Sequence, residues 1–386
     1  MWRVWRGYCH IKTSGLVQLR QVPHHVALFN GKRQLCRPFR TSAPLHIGPW
    51  ILGTPLARFA IAVAGRYARR WWKNLPDGEK ASMVKYVRER KDTVFLVCLG
   101  GLGALVTYLA MHIEEAPITG RRRFIWVSNE DLETMSIGEF EGAIQKYTEL
   151  NAVLEPSHQA YKLIKEVVEK LLAANQYKEV QNINWRLFVV CNEEANAMTY
   201  PTGEILVYTG LLKQLTTVDE LAMILGHEMS HAVLRHGQEK LSVTTFIDSL
   251  LLFPIAIIWF MAPFDSLAYL MHMISKRLVT MALHLPYSRS LETEADMIGM
   301  MFAARACYNP AAGPSLWSHF GANNNSIGHY KSTHPPSEER SKKLQELLPI
   351  AKSLWESNEC EKTQAAHKKF NKATGHHWKQ KTLAVS

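Results

Sequence analysis

From Thr93 to Ile113 the chain reads TVFLVCLGGLGALVTYLAMHI, twenty-one residues without a formal charge. In hydrocarbon, every backbone N–H and C=O of such a run must be satisfied within the segment, and a helix is the form that does this. At 1.5 Å per residue the run spans about 31 Å, against a bilayer core of about 30 Å. A buried helix of a soluble domain is the competing reading, but soluble helices rarely stay apolar on every side for so long. Arg88, Arg90 and Lys91 precede the run, and Glu114 and Glu115 follow it. The positive-inside rule therefore retains the N-terminal side and sends residue 114 onward across the membrane.

The net charge of +11 is unevenly placed. Residues 1–73 contain 13 Lys or Arg, the first acid is Asp77, and about −2 is left for the remainder. The excess belongs to a leader, so no nucleic-acid partner is expected. That leader is Arg-rich and acid-free, and it lacks the apolar core of a secretory signal, which is the composition of a mitochondrial transit peptide. RPFRTSA (37–43) is its plausible processing neighbourhood, and a basic tail for anionic lipid or RNA is the alternative. The expected order is a transit peptide over 1–45, a matrix-side basic segment over 46–92 and one inner-membrane span over 93–113. A C-terminal domain facing the intermembrane space over 114–350 and a tail over 351–386 complete it. Six cysteines are scattered with no C-x-x-C pair, so neither thiolate zinc nor a disulfide framework is supported.

The C-terminal domain reads as mainly α with a small β-sheet. HQAYKLIKEVVEKLLAA (158–174) carries a helical apolar stripe, WRLFVVC (185–191) is a strand, and 195–212 reads as a hairpin turning at Pro201 to Gly203. FIDSLLLFPIAIIWFMA (246–262) is a second apolar run. Counted from Leu250, past Asp248 and Ser249, it has only 13 residues, too few for an easy span, so it reads as an interfacial or core segment, with a second span or re-entrant helix as the alternative.

Thr217 with Glu220 makes a capping box, which starts a helix over about 217–235 whatever its chemistry. On it His227 and His231 lie one turn apart on one face, where two imidazoles can share a metal. Glu228 is rotated about 100° from His227 and so reaches water beside the metal rather than the metal itself. Zinc needs a third protein ligand. The H-x-x-G-x-x-H continuation fails, because Leu234 and Gly237 occupy its last two positions, and His236 falls on the opposite side of the helix as a surface histidine. Downstream, SRSLETEADMIGMMFAARA (288–306) is a second helical pattern with Glu292 and Asp296 one turn apart. A carboxylate ligand followed by a supporting carboxylate suits a zinc site, and two solvated acids are the bland alternative.

ILGHEMSHAVLRHG followed by YSRSLETEADMIGM resembles the M48 family of gluzincin peptidases, whose pattern is HExxH plus a distant SRxxExxAD. The resemblance implies that His227, His231 and Glu292 bind one zinc ion, that Glu228 is the general base and that Asp296 orients a ligand histidine. NAMTYPTGEILVYTGLL (196–212) is similar to the family's substrate-pairing edge strand, which implies a role for Asn196, Gly203 and Ile205, with 204–208 as the edge. STHPPSEER (332–340) resembles a C-terminal block, which implies His334 and Arg340 over the cleft as oxyanion contacts. The likeness covers roughly residues 130–345. A leader and a single strong span fit a mitochondrial member rather than the multi-span or periplasmic ones.

The reading is therefore a zincin-type α+β domain behind one N-terminal transmembrane helix, acting as a zinc-dependent endopeptidase. The resemblance implies inner-membrane protein substrates cleaved under stress or depolarisation, among them a dynamin-like fusion GTPase, with the lipid bilayer and a possible homo-oligomer as partners. The alternative from another class is a zinc-stabilised scaffold or chaperone that binds without cutting.

Overall fold

Residues 54–322, 334, 338–358 and 360–361 are described by the computed structural model; the expected transit peptide lies outside them. They divide into two units, each discontinuous in sequence. One takes 133–235 and 289 onward, and the other takes residues up to 132 together with 236–288. The expected 114–350 domain is thus split, with 236–288 joining the N-terminal helices.

In chain order the elements are α1 (Pro55–Asn74), α2 (Asp77–Glu89), α3 (Lys91–Ala110), β1 (Ile113–Glu115), β2 (Arg122–Phe124), α4 (Asn129–Glu149), α5 (Gln159–Ala174) and α6 (Lys178–Gln181). Next come β3 (Arg186–Val190), β4 (Ala197–Thr199), β5 (Glu204–Tyr208), α7 (Thr209–Leu212), α8 (Val218–Val233), α9 (His236–Leu250), α10 (Leu252–Met261) and α11 (Asp265–Val279). A π-helical turn (Thr280–His284) leads into α12 (Leu285–Arg305), followed by α13 (Ala312–Ala322) and α14 (Glu338–Ser357).

The first unit is built around a three-stranded sheet in the order β3-β5-β4. β5 pairs in parallel with β3 (Leu187↔Ile205) and antiparallel with β4 (Met198↔Leu206), so 204–208 is the central strand and not an edge. All five of its residues are buried, which is why its run EILVY reads as continuously apolar after Glu204. Gly203 sits in the β4–β5 turn at φ 102°, where a Cβ would lie 2.7 Å from the Asn184 carbonyl, so glycine is needed there for the turn. Tyr161, Ile164, Val167, Val168 and Leu171 form the buried stripe of α5, which packs on α8 and β3.

α8 opens with the expected capping box, Thr217 and Glu220 each satisfying the other's backbone. Most of its surface is buried, so it is the core helix of this unit. It stops because Arg235 takes φ 55°, and the break resets the helical phase. His236 consequently begins α9 and is buried rather than at the surface. Cys307 and Cys360, 53 positions apart in sequence, form a disulfide that cysteine spacing left undecided. With α14 reaching Ser357, the expected tail begins as part of the folded unit.

The second unit holds the apolar helices. α3 and the continuous helical stretch 236–261 are each long and apolar enough to cross a membrane. α3 ends at Ala110, slightly before the apolar run does. The 13-residue count for 246–262 missed that the helix begins at His236 and that Asp248 is not a solvated break, because it pairs with Arg58. α1 packs along α10, with Gly65 in backbone contact with Ala256 and Trp259. The β1–β2 hairpin grips α9: Arg121 forms two 2.7 Å hydrogen bonds to the fully buried Glu239.

Candidate metal centre

α8 presents His227 and His231 on one face, and α12 crosses it carrying Glu292 and Asp296. The crossing is close because both helices place glycine there. A Cβ on Gly226 would lie 2.8 Å from the Gly299 carbonyl oxygen, and one on Gly299 would lie 2.6 Å from the His227 backbone nitrogen. Neither clash involves a side chain that could rotate away. Glycine costs about 1 kcal/mol in a helix relative to alanine, and at these two positions it admits backbone contact.

Four side chains converge: His227, His231, Glu292 and His334, with one ligand atom of each within 4.8 Å of the others. The separations bear on whether a metal fits. His231 Nε2 is 3.1 Å from His227 Nε2, His227 Nε2 is 3.4 Å from Glu292 Oε2, and His231 Nε2 is 3.5 Å from Glu292 Oε1. His334 Nδ1 stands 3.3 Å from His227 Nε2 and 2.9 Å from Glu292 Oε2. An ion held tetrahedrally at 2.0–2.1 Å requires donor–donor edges of roughly 3.3–3.4 Å. Nitrogen and carboxylate donors at that spacing suit zinc.

The supports lie one layer out. His227 Nδ1 is 2.9 Å from Asp296 Oδ1, which directs Nε2 toward the other donors. Asp296 in turn accepts hydrogen bonds from Arg340 Nε at 2.6 Å and Arg340 Nη2 at 2.8 Å. Arg340 also places Nη1 3.2 Å from Glu292 Oε2 and lies 3.8 Å above the Trp317 ring. Arg340 is therefore buried behind the donors rather than lying over an open cleft. An arginine held by two carboxylates and an indole has no reach left for an oxyanion. Trp317 and the two glycines were not picked out in the sequence; GPSLWSHF reads only as apolar helix.

Burial alone would lower the pKa of His227, but the carboxylates of Asp296 and Glu292 raise it to about 9. Burial would raise Glu292, yet hydrogen bonds from His227 and His334 and the nearby His231 hold it well below the usual carboxylate range. Asp296 is likewise lowered, its burial outweighed by Arg340. Glu228 goes the other way: burial pushes it up, against the opposing pull of His334 and His227. No hydrogen bond of normal geometry reaches Glu228 Oε1, and His334 Nε2 stands 3.3 Å from it. A Thr199 backbone hydrogen bond does reach the Glu228 carboxylate. Thr199 is the last residue of β4, so the carboxylate lies at the edge strand of the sheet.

Of the three residues expected to pair with substrate, none lies on that edge strand. Ile205 is fully buried on the central strand, Gly203 serves the turn, and Asn196 is buried, its carbonyl accepting from Tyr208 N–H just before β4.

The sequence profile described as Peptidase family M48 matches residues 158–348. A zebrafish protein named "Metalloendopeptidase OMA1, mitochondrial" is 31% identical over 339 residues, covering 85% of this chain and 70% of its own length. The chain belongs to peptidase family M48. A bovine M48 relative of the same name is 34% identical, covering 84% of this chain and 64% of its own length. The fission yeast "Mitochondrial metalloendopeptidase OMA1" is 31% identical, covering 70% of this chain and 76% of its own. The chain thus spans somewhat less than two thirds of the bovine relative.

Proposed function

We propose that this M48 chain is a zinc-dependent endopeptidase anchored in the mitochondrial inner membrane by α3, with its metal centre facing the intermembrane space. The observation that carries the reading is a buried Glu228, its pKa raised, beside a cluster of four potential metal donors and bonded to the edge strand β4. The chemistry that zinc supplies in such a centre is Lewis acidity toward water and a peptide carbonyl. His227, His231 and Glu292 would hold it, with Asp296 and Arg340 fixing His227. An extended peptide adding to the open side of β4 gains main-chain hydrogen bonds and runs past Glu228. Glu228, whose burial raises its affinity for a proton, accepts one from the attacking water and returns it to the leaving amine.

Targets in the inner membrane, including a dynamin-like fusion GTPase, are part of this proposal and rest on the family resemblance of the sequence motifs; assembly into a homo-oligomer is proposed with them. The test is Glu228→Gln in the full chain. Zinc content stays at one per chain while cleavage of an inner-membrane reporter falls at least about 100-fold, the scale of a lost general base. An active Glu228→Gln chain would overturn the mechanism.

One observation favours a non-cleaving zinc scaffold instead: His334 supplies a fourth donor, as in closed structural sites. His334→Ala separates the two. A peptidase centre keeps its zinc on three ligands, whereas a structural one loses it.

A further inference from the structure

If α3 were the only membrane crossing, every residue before it would lie on one face of the bilayer and every residue after it on the other. α1 comes before α3 and α10 after it, yet the two helices touch at backbone distance. A Cβ on Gly65 would lie 2.8 Å from Trp259 Cβ and 2.9 Å from the Ala256 carbonyl oxygen. Ion pairs flank this contact, Arg58 with Asp248 at one end and Arg66 and Arg69 with Asp265 at the other. Arg69 also donates to the Ala262 carbonyl at 2.6 Å. Segments held on opposite faces of a hydrocarbon layer about 30 Å thick cannot meet in this way.

The composition of the contact says where it lies. Residues 249–264, SLLLFPIAIIWFMAPF, carry no charge, and the acids bounding them, Asp248 and Asp265, are the ones paired with α1. The outward side is apolar: Phe253 is 74% exposed, Met261 70%, and on α1 Phe59 68%. Arg58, Arg66 and Arg69 face the partner helix, while Tyr67, Arg70, Trp71 and Lys73 are exposed on α1 and are of the aromatic and basic types common at a membrane surface. We infer that α1 and residues 249–264, which include α10, form a second, paired element embedded in the bilayer, with lipid hydrocarbon against the face that carries Phe59, Phe253 and Met261. This rests on α3 being a span. It places a membrane-embedded segment in the chain between His231 and Glu292.

The test is cysteine accessibility in the full chain inserted into phosphatidylcholine liposomes. In a Cys98→Ser background, Phe253→Cys and Ile257→Cys probe α10, Leu102→Cys probes α3, and Lys240→Cys is the aqueous reference. A membrane-impermeant maleimide should label positions 253 and 257 at least tenfold more slowly than 240, and equally fast after unfolding in SDS. Rapid labelling at 253 and 257 with 102 shielded overturns the inference and leaves the α3 anchor standing. Rapid labelling at 102 with 253 shielded overturns the α3 anchor and makes the α1–α10 pair the anchor, and rapid labelling at both overturns both. A second measurement avoids cysteine altogether: with Leu96→Arg, Leu102→Arg and Val106→Arg disabling α3, the chain should still float with liposomes after carbonate washing. Loss from the floating fraction refutes the embedded pair.

Discussion

Replacing Gly299 with alanine adds one methyl group at the crossing of the two metal-bearing helices, and its effect can be worked from the contact it makes. The new Cβ would lie 2.6 Å from the His227 nitrogen, 2.8 Å from its Cα and 2.9 Å from the Gly226 carbonyl carbon. Ordinary contact begins near 3.4 Å, so the helices must separate by about 0.8 Å, since no rotamer can absorb a backbone clash. Overpacking of this size costs roughly 1–3 kcal/mol, and alanine returns about 1 kcal/mol of helix propensity. The net loss of stability is then small, about 0–2 kcal/mol. The metal centre fares worse. Its donors sit on both helices, and a constellation of this kind tolerates about 0.5 Å of displacement. The His227–Asp296 contact, now 2.9 Å, would open beyond hydrogen-bonding distance. Thermal unfolding followed by zinc analysis after dialysis separates the two effects: Gly299→Ala should melt within a few degrees of the parent chain yet retain less than half its zinc. Gly142→Ala, on an open face of α4 with nothing within 4 Å, is the control and should retain all of it. Full zinc retention by Gly299→Ala would refute the claim that backbone contact sets the donor geometry.

Arg340→Lys keeps the charge but loses the fork on Asp296 and the stack on Trp317; breaking a buried pair costs about 3–5 kcal/mol, so a melting temperature unchanged in a scanning calorimeter would contradict its supporting role. His227 carries its proton up to about pH 9, and zinc needs it neutral, so apparent zinc affinity should rise with pH, about tenfold per unit between pH 6 and 8. Titration with a chromophoric chelator checks this, and a flat profile refutes it. Opening the 53-residue Cys307–Cys360 loop with paired serines should lower stability by about 4 kcal/mol on the chain-entropy relation, read from urea unfolding of the full chain.

Local features were legible because they follow from short-range chemistry. The Thr217–Glu220 capping box, the histidine pair one turn apart and the turn at Gly203 each depend on residues within a few positions of one another. Glu292 and Asp296 could be found as a pair at helical spacing, although their service to the metal came from family resemblance. What escaped were facts that depend on how distant segments meet. That β5 is central follows from its pairing with β3, which no local pattern in 196–212 encodes. Arg340 stands behind Asp296 because α14 places it there, and its sequence neighbours suggest only an exposed helix start. Asp248 seemed to interrupt an apolar run because its partner, Arg58, lies 190 residues earlier. His236 was misplaced by carrying helical phase through Arg235, where the backbone turns left-handed.

The order in which the centre's parts appear along the chain also has a consequence for its synthesis and delivery. A chain threaded N-terminus first presents Thr199, then the two histidines and the base, and then a long interval before Glu292 and Asp296. Arg340, which locks Asp296, arrives last. Such a chain has only two of its metal donors until residue 292 has followed, and its supporting charges stay unmatched until residue 340. A half-made copy therefore holds Glu228 and the two histidines without Glu292, Asp296 or Arg340 to complete the cluster, so the linear order of the sequence delays assembly of the site until its last elements are made.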